Sequence, residues 1–379
     1  MDNAVCKLVG VDFPLFAFSH CRDVVVAVSR AGGFGVLGAS SFSPEQLEQE
    51  LAWIDAHVDG RPYGVDILFP QTQQAQPGMV LEDFVARIPE RHIDFVVDLL
   101  ATHGVRLGRD EAVRRSLPPT APDSAEELLA VAFGHPIRLI ANALGIAPPI
   151  MIERAHVAGV PVAALVGAKE HALRQAQAGV NILVAQGTEA GGHCGEISTM
   201  VLTPEVIRAV APYGAPPVLA AGGIMTGQQM AGAMAMGAQG VWTGSVWLAT
   251  TEAETSPVLR EKMVEARSSD TVRSRARTGK PCRQLRSAWH DAWDRPGAPE
   301  TLPLPLMPML STPALRRADR AAEAGSPGAR ELVTYEMGQG IGLIEAVTSS
   351  ADVVQQFKTD FADAYENFTR TVEGDPAAG

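Results

Sequence analysis

Residues 186–195 read QGTEAGGHCG and directly follow the largely apolar run of residues 180–185. Such a run is typical of a buried strand, so the glycine-rich segment is predicted to lie at a strand end. Because glycine has no Cβ, a backbone rich in it can approach a flat ligand closely. His193 follows Gly192 and carries an imidazole that exchanges a proton near neutral pH. A titratable ring beside glycines at a strand end indicates a chemical site.

Seven further apolar runs resemble this strand. The eight predicted strands span residues 14–18, 34–37, 63–68, 138–144, 161–166, 181–185, 217–221 and 240–244. Most are continuously apolar, as parallel strands buried on both faces are. Helix signals lie between them, including a capping pattern at Ser43 and Gln46, another at Thr226 and Gln229, and a helix start at residues 203–205. The alternation predicts an α/β fold, a (β/α)8 TIM barrel.

A doubly wound open sheet is the alternative fold. The first strand-to-helix turn, residues 18–21, lacks the glycine-rich phosphate loop of a nucleotide-binding open sheet. We expect residues 1–255 to form the barrel, with a helical insertion after strand 3 at about 69–136. Residues 256–379 are predicted to be a C-terminal extension that caps the barrel, with an extended proline-rich connector at 302–308.

The composition excludes several classes of function. The chain has 379 residues, of which 46% are hydrophobic and 20% charged, which is typical of a globular protein. A formal net charge of −12 argues against nucleic-acid and anionic-membrane partners. Four scattered cysteines without a C-x-x-C pair argue against a zinc site, so no metal is expected, and they favour a reduced, cytoplasmic protein. No signal peptide or membrane-spanning run is visible.

Two further predicted strand ends carry glycines. One leads to Ala221, Gly222 and Gly223, and the next leads to Gly244 and Ser245. Bare backbone N–H groups and a hydroxyl can surround phosphate oxygens. A phosphate site after the last two strands recurs in TIM barrels. These turns therefore favour a cofactor that carries a phosphate.

Taken together, these segments resemble the nitronate monooxygenase family, formerly called 2-nitropropane dioxygenases, which are FMN-bound (β/α)8 barrels. The resemblance covers roughly residues 8–255. It is carried by residues 31–35 (AGGFG), 186–193, 221–224 and 243–245, and residues 337–342 (MGQGIG) are similar to a family motif. FMN-dependent enoyl-acyl-carrier-protein reductases share nearly all of these features.

The resemblance implies roles for individual residues. His193 would face the flavin ring and act as the general base. The positions expected to bind FMN are Ala17, Phe18, Asp66, Gln186, Gly191, Gly192, Ala221, Gly222, Gly223, Gly244 and Ser245. The last four of these would hold the phosphate. Asp66 departs from the family pattern, which often has asparagine there. A carboxylate near a reduced, anionic flavin is unfavourable, so Asp66 is expected to be protonated, turned away or paired.

Three activities remain open at this point. The leading one is oxidation of alkyl nitronates or nitroalkanes with O2, in which His193 removes the α-proton and FMN carries the redox step. The first alternative is NAD(P)H-dependent reduction of an enoyl thioester or a quinone. The second is a flavin-binding protein without turnover. A homodimer is one possible assembly.

Other polar residues have two interpretations each. His20 could reach the site or bond to backbone, and Glu189 could orient His193 or lie in solvent. Gln339 could close over the substrate or start a helix. The basic cluster of residues 273–280 is interpreted as a solvated face or subunit contact, or as a site for the phosphates of a nucleotide or coenzyme A. Trp242 is expected to pack in the barrel.

Overall fold

The computed structural model describes residues 1–69, 79–115 and 122–373. The strands in the described residues are β1 (Leu15–Ser19), β2 (Phe34–Gly38), β3 (Tyr63–Asp66), β4 (Leu139–Asn142), β5 (Val162–Val166), β6 (Ile182–Gln186), β7 (Gly192–His193), β8 (Val218–Ala221), β9 (Val241–Thr243), β10 (Thr271–Ser274) and β11 (Cys282–Leu285). All eight runs predicted from the sequence coincide with strands. The differences are confined to their ends.

Eight parallel strands close into a barrel in the order β1-β2-β3-β4-β5-β6-β8-β9. Closure is made by β1 and β9, where Phe16 lies opposite Trp242. The predicted (β/α)8 barrel is confirmed, and the open sheet is wrong. Inside the barrel, the rings of Phe16 and Trp242 stack with centroids 6.0 Å apart. The interior is therefore a packed core, and room for a ligand exists only at its ends.

The helices in the described residues are α1 (Ala4–Val9), α2 (Arg22–Arg30), α3 (Pro44–His57), α4 (Leu81–Val85), α5 (Glu90–Thr102), α6 (Pro122–Ala132), α7 (Pro149–Ala158), α8 (Lys169–Gln177), α9 (Thr199–Val210), α10 (Gly227–Ala235), α11 (Pro257–Glu265), α12 (Ala288–Trp293), α13 (Leu306–Glu323), α14 (Pro327–Leu332) and α15 (Ser350–Glu373). None of these is long and apolar enough to cross a membrane. Helix α1 places Val5 and Val9 in the same apolar cluster as Phe16, so it covers one end of the barrel.

The capping predictions hold for two helices. Ser43 accepts a hydrogen bond from the Gln46 backbone in a capping box, and Thr226 accepts one from the Gln229 backbone. The predicted start at residues 203–205 is wrong, because α9 begins at Thr199 and contains Pro204. The extended connector predicted at 302–308 is also wrong at its end, since α13 begins at Leu306.

The insertion after β3 contains α4, α5 and α6, while its residues 70–78 and 116–121 lie outside the described ranges. Helix α6 packs against α3 and so belongs to the barrel wall, whereas α5 packs against α13. Phe84 and Leu100 of the insertion share an apolar cluster with Leu310 and Trp289. The insertion and the C-terminal region therefore form one layer beside the barrel.

Helix α15 packs against α10 and α2, in the place of the eighth barrel helix. Its Phe357 is only 1% exposed. The helices approach closely at Gly227, where an added Cβ would collide with the backbone of Phe357 and Phe361. The division at residue 255 stays a prediction, but the region after it includes one helix of the barrel wall.

A small antiparallel sheet of β7, β11 and β10 stands beside the barrel. Its shortest strand, β7, pairs His193 with Cys282 and Gly192 with Arg283. The glycine-rich segment after β6 is therefore held by residues nearly ninety positions later in the chain. The place of the glycine-rich segment in this sheet was not predicted, because a two-residue strand such as β7 carries no readable strand pattern.

Candidate active site

A cavity of about 820 Å³ opens at the carboxyl ends of the barrel strands. This volume lies within the range of small-molecule and cofactor sites. The structure brings nearly all of the predicted site residues to its wall: Phe18, Asp66, Gln186, Gly191, Gly192, His193, Ala221, Gly222, Gly223, Gly244 and Ser245. Ala17 is the exception. It is fully buried, in the apolar cluster that includes Val24 and Val28 of α2, because alternate residues of a strand face opposite sides.

The imidazole of His193 is held at one nitrogen. Its Nε2 lies 2.8 Å from the Thr278 Oγ1, which in turn lies 3.1 Å from the Lys280 carbonyl oxygen. The hydroxyl has one hydrogen, and the carbonyl can only accept. The hydroxyl therefore donates to Lys280, and Nε2–H donates to the hydroxyl. In the neutral ring this leaves the lone pair on Nδ1, as required of a base.

Burial lowers the pKa of His193, and the positive charges of Lys280 and Arg277 lower it further, while Glu336 acts in the opposite direction. The net effect favours the neutral imidazole at physiological pH. Nδ1 has no hydrogen-bond partner in the described part of the chain, and it is not among the polar atoms sealed from solvent. His193, which lines the cavity, thus carries an unprotonated ring nitrogen.

A carboxylate close to His193 comes from Glu336, which also lines the cavity. Burial alone would raise the pKa of Glu336, but the charges of Arg277 and His193 outweigh it and hold this pKa below its usual value. The Arg277 Nε lies 3.7 Å from the Glu336 Oε1. Glu336 is therefore an anion that can stabilise a protonated His193. No sequence pattern pointed to Glu336 directly, except that it immediately precedes the motif at 337–342.

The basic cluster of residues 273–280 is a solvated face only in part: Arg275 is exposed, whereas other members reach the cavity. Arg273 and Lys280 line the cavity. Arg273 is engaged by Glu196 at 3.2 Å and by the Cys194 carbonyl at 3.4 Å. Lys280 makes no ion pair or side-chain hydrogen bond within the described residues, so its ammonium group is free to attract an anion. The subunit contact interpreted from the sequence stays a prediction.

The two glycine turns have the features of a phosphate site. Gly222 and Gly223 adopt φ values of +111° and +71°, which favour glycine. Their N–H groups, and that of Gly244, meet no acceptor within the described residues. A Cβ at Gly244 would meet no atom within 4 Å, so space remains there. Ser245 Oγ accepts a hydrogen bond from Gly338 N at 2.9 Å and keeps its own hydrogen to donate. Donors without acceptors fit a phosphate.

Asp66 ends β3 and lines the cavity although it is only 4% exposed. Its side chain has no hydrogen-bond or ion-pair partner in the described ranges. Burial raises the pKa of Asp66 to about 7. Of the three states expected from the sequence, the paired state finds no partner within the described ranges, and the protonated state fits, because burial of a carboxyl favours its neutral form.

The remaining candidates have simple structural roles. Glu189 neither orients His193 nor lies free in solvent, because it accepts hydrogen bonds from the Thr199 backbone at 2.9 Å and thereby caps α9. His20 bonds to the Gly38 carbonyl at 2.9 Å and also lines the cavity. Gln339 begins a short 3-10 helix. Trp242 packs in the barrel and touches the cavity.

The sequence model of the nitronate monooxygenase family matches residues 9–360. This chain belongs to the nitronate monooxygenase family. A curated relative in Mycobacterium tuberculosis, provisionally named a monooxygenase, is 52% identical over 369 residues, which is 96% of this chain and 97% of the relative. A Staphylococcus aureus protein provisionally named a nitronate monooxygenase is 27% identical over 75% of this chain and 78% of its own length.

Solved structures of similar fold include relatives consistent with membership of this family. A nitroalkane oxidase from Streptomyces ansochromogenes has a TM-score of 0.77 and 25% identity, covering 97% of this chain and 100% of that one. FabK from Thermotoga maritima, with a TM-score of 0.71 and 24% identity over 97% of this chain and 98% of its own, shows a shared fold. As a member of the nitronate monooxygenase family, this chain is an enzyme, a flavin-dependent oxidoreductase.

Proposed function

We propose that this enzyme oxidises alkyl nitronates or nitroalkanes with O2 and uses FMN as its cofactor. The observation that carries the proposal is the pairing of His193 with Thr278, since it leaves an unprotonated nitrogen on the wall of a cavity. Family membership supports the reaction class. A cytoplasmic location and a homodimer remain predictions from the sequence.

The residues of the cavity fit FMN. Gly222, Gly223, Gly244 and Ser245 would hold its phosphate with hydrogen-bond donors that meet no other acceptor among residues 1–69, 79–115 and 122–373. Gln186 and Phe18 lie on the same wall and would contact the ring. Bound there, FMN would supply the redox chemistry, carrying the electrons of the oxidation to O2. The protein supplies binding, orientation and proton transfer.

Proton removal is the task of His193. A carbon next to a nitro group is acidic enough for an imidazole to deprotonate, and Nδ1 is the nitrogen free to do so. As the ring becomes an imidazolium, the nearby Glu336 carboxylate stabilises its charge. Thr278 keeps the ring in the tautomer that exposes Nδ1. Each of these groups acts before the redox step, so nitronates that lack the α-proton bypass them.

Lys280 is expected to attract the negatively charged nitronate. Replacing it with methionine removes the charge and keeps a side chain of similar length. A hydrogen bond to a charged group is worth about 1.5–3 kcal/mol, and less where water reaches it. We therefore expect the KM for a preformed nitronate to rise by about five- to thirtyfold. The KM for the neutral nitroalkane should change little. Steady-state kinetics on both forms of one substrate measure this difference.

Arg295→Met provides the matched control, because Arg295 lines a separate surface pocket. A Lys280→Met variant that loses affinity equally for the neutral and anionic forms would contradict the electrostatic role.

One anaerobic experiment separates the proposed function from its alternatives. The purified protein, loaded with FMN, is mixed with propionate 3-nitronate, NADH or NADPH while the flavin absorbance is followed. We expect bleaching by the nitronate alone. Bleaching by a nicotinamide alone would favour the reductase, and an inert flavin would favour a binding protein without turnover. A protein that binds no FMN would refute the cofactor itself.

A further inference from the structure

Asp66 is a carboxyl group that the proton-transfer scheme above does not use. Its backbone oxygen accepts a hydrogen bond from Ala39 N at 2.8 Å, so the main chain is fixed at the end of β3. The side chain, 4% exposed, lies on the cavity wall with no partner among the described residues. Its carboxyl oxygens are not among the polar atoms sealed from solvent, so they open onto the cavity, where a ligand can meet them.

The position of Asp66 indicates which part of FMN it would meet. In the barrel order, β1 and β2 separate β3 from β9, and β9 leads into the turn at Gly244. The phosphate proposed at that turn therefore lies at a different part of the cavity mouth, separated from Asp66 by two strands. The uncharged ring system, which carries carbonyl oxygens and ring nitrogens, is left as the nearer part of the cofactor.

The charged and titratable groups around the cavity do not neutralise Asp66 by pairing with it. Besides Asp66, those on the cavity wall are His20, Arg114, His171, Arg174, His193, Cys194, Arg273, Lys280, Tyr335 and Glu336. Burial is the sole cause of the raised pKa of Asp66, at about 7, so none of these groups offsets the loss of water around the carboxyl. A proton on Asp66 itself is the remaining means of avoiding a buried, isolated charge.

We infer that protonated Asp66 donates a hydrogen bond to an acceptor atom of the FMN ring, so that FMN binds less tightly as Asp66 ionises. The inference rests on the proposed FMN cofactor. A protonated carboxyl has one O–H donor, whereas an ionised carboxylate can only accept. An asparagine at this place would donate at every pH. The aspartate of this chain makes the same contact depend on pH.

The sign of the effect follows from linkage. A hydrogen bond to the neutral form raises the pKa of Asp66 further in the FMN complex, so FMN binding is coupled to keeping the proton. Affinity is then full below the pKa of the free protein and falls as pH rises through it. The limiting loss is about tenfold per pH unit, until the pKa of the complex is reached.

The test measures FMN affinity without any turnover. Wild type, Asp66→Asn and the exposed control Asp363→Asn are freed of flavin, and the Kd for FMN is measured by quenching of flavin fluorescence between pH 6 and pH 9. We expect the Kd of wild type and Asp363→Asn to rise about tenfold or more over this range relative to that of Asp66→Asn. Ionisation of FMN itself affects all three proteins equally and cancels in this ratio.

Parallel pH profiles for wild type and Asp66→Asn would overturn the inference. So would tighter binding by wild type at high pH, since this would make Asp66 an ionised acceptor. If none of the three proteins binds FMN at any pH, both the proposed FMN cofactor and the inference about Asp66 are refuted. An infrared difference spectrum of the wild-type complex gives a check without a substitution: the carbonyl stretch of a protonated carboxyl should be present at pH 6, and its absence would also overturn the inference.

Discussion

His193→Ala is expected to lower kcat/KM for a neutral nitroalkane by about 100- to 10,000-fold, the usual contribution of a general base. The reason is that His193 lines the cavity with its Nε2 bonded to Thr278 and its Nδ1 without a hydrogen-bond partner among the described residues. Bound FMN should be retained, because the proposed phosphate donors lie in other turns. Steady-state kinetics with the nitroalkane, together with the flavin absorbance of the purified variant, measure both effects.

The preformed nitronate of the same compound is the internal control. Its α-proton is already gone, so His193→Ala should cost it less than about tenfold, and the ratio of the two losses reports the proton transfer. Cys194→Ala, one residue along the chain, is the matched variant: its thiol donates to the Thr188 carbonyl at 3.5 Å and interacts with Arg273 and Arg283. None of these contacts belongs to the proposed proton transfer, so near wild-type rates are expected. Equal losses on both substrate forms would refute the assignment of His193 as the base.

Phe357→Ala is expected to destabilise the protein by about 3–5 kcal/mol, as truncations of fully buried aromatic side chains do. Phe357 is 1% exposed in the contact of α15 with the barrel wall. Because α15 takes the place of the eighth barrel helix, the loss should affect the whole barrel. Urea unfolding of the FMN-loaded protein, followed by circular dichroism, measures the change.

Phe368→Ala on the same helix is the control. Phe368 is 66% exposed, so its truncation removes little buried surface and should change the unfolding free energy by about 0.5 kcal/mol or less. Comparable destabilisation by the two variants would show that α15 contributes through its own helical stability. It would contradict a role through packing on the barrel.

The barrel could be predicted from the sequence because its strands are short, continuously apolar and separated by helix signals. Residues such as Val184 and Leu219 face the interior whatever the rest of the chain does. The glycine turns were equally readable, since Gly222 and Gly223 are needed at positive φ. Local pattern and local backbone conformation determined these features.

What was missed depends on contacts between distant parts of the chain. Glu336 acquires its role only when the strand containing Cys282 pairs with His193. The basic residues near Lys280 look like any solvated cluster until the same pairing places them at the cavity. Ala17 was included as a neighbour of Phe18, although alternation along a strand places the two side chains on opposite sides.

Helix α15 also has a consequence for how the protein is made. The ribosome synthesises β9 well before α15, and residues 244–349 emerge between them. During that interval all barrel strands can pair, yet the groove between α10 and α2 stays uncovered. Contacts so distant in sequence form slowly, and uncovered apolar surface promotes aggregation in the meantime. Nascent chains paused within residues 244–349 should therefore be the species most dependent on chaperones.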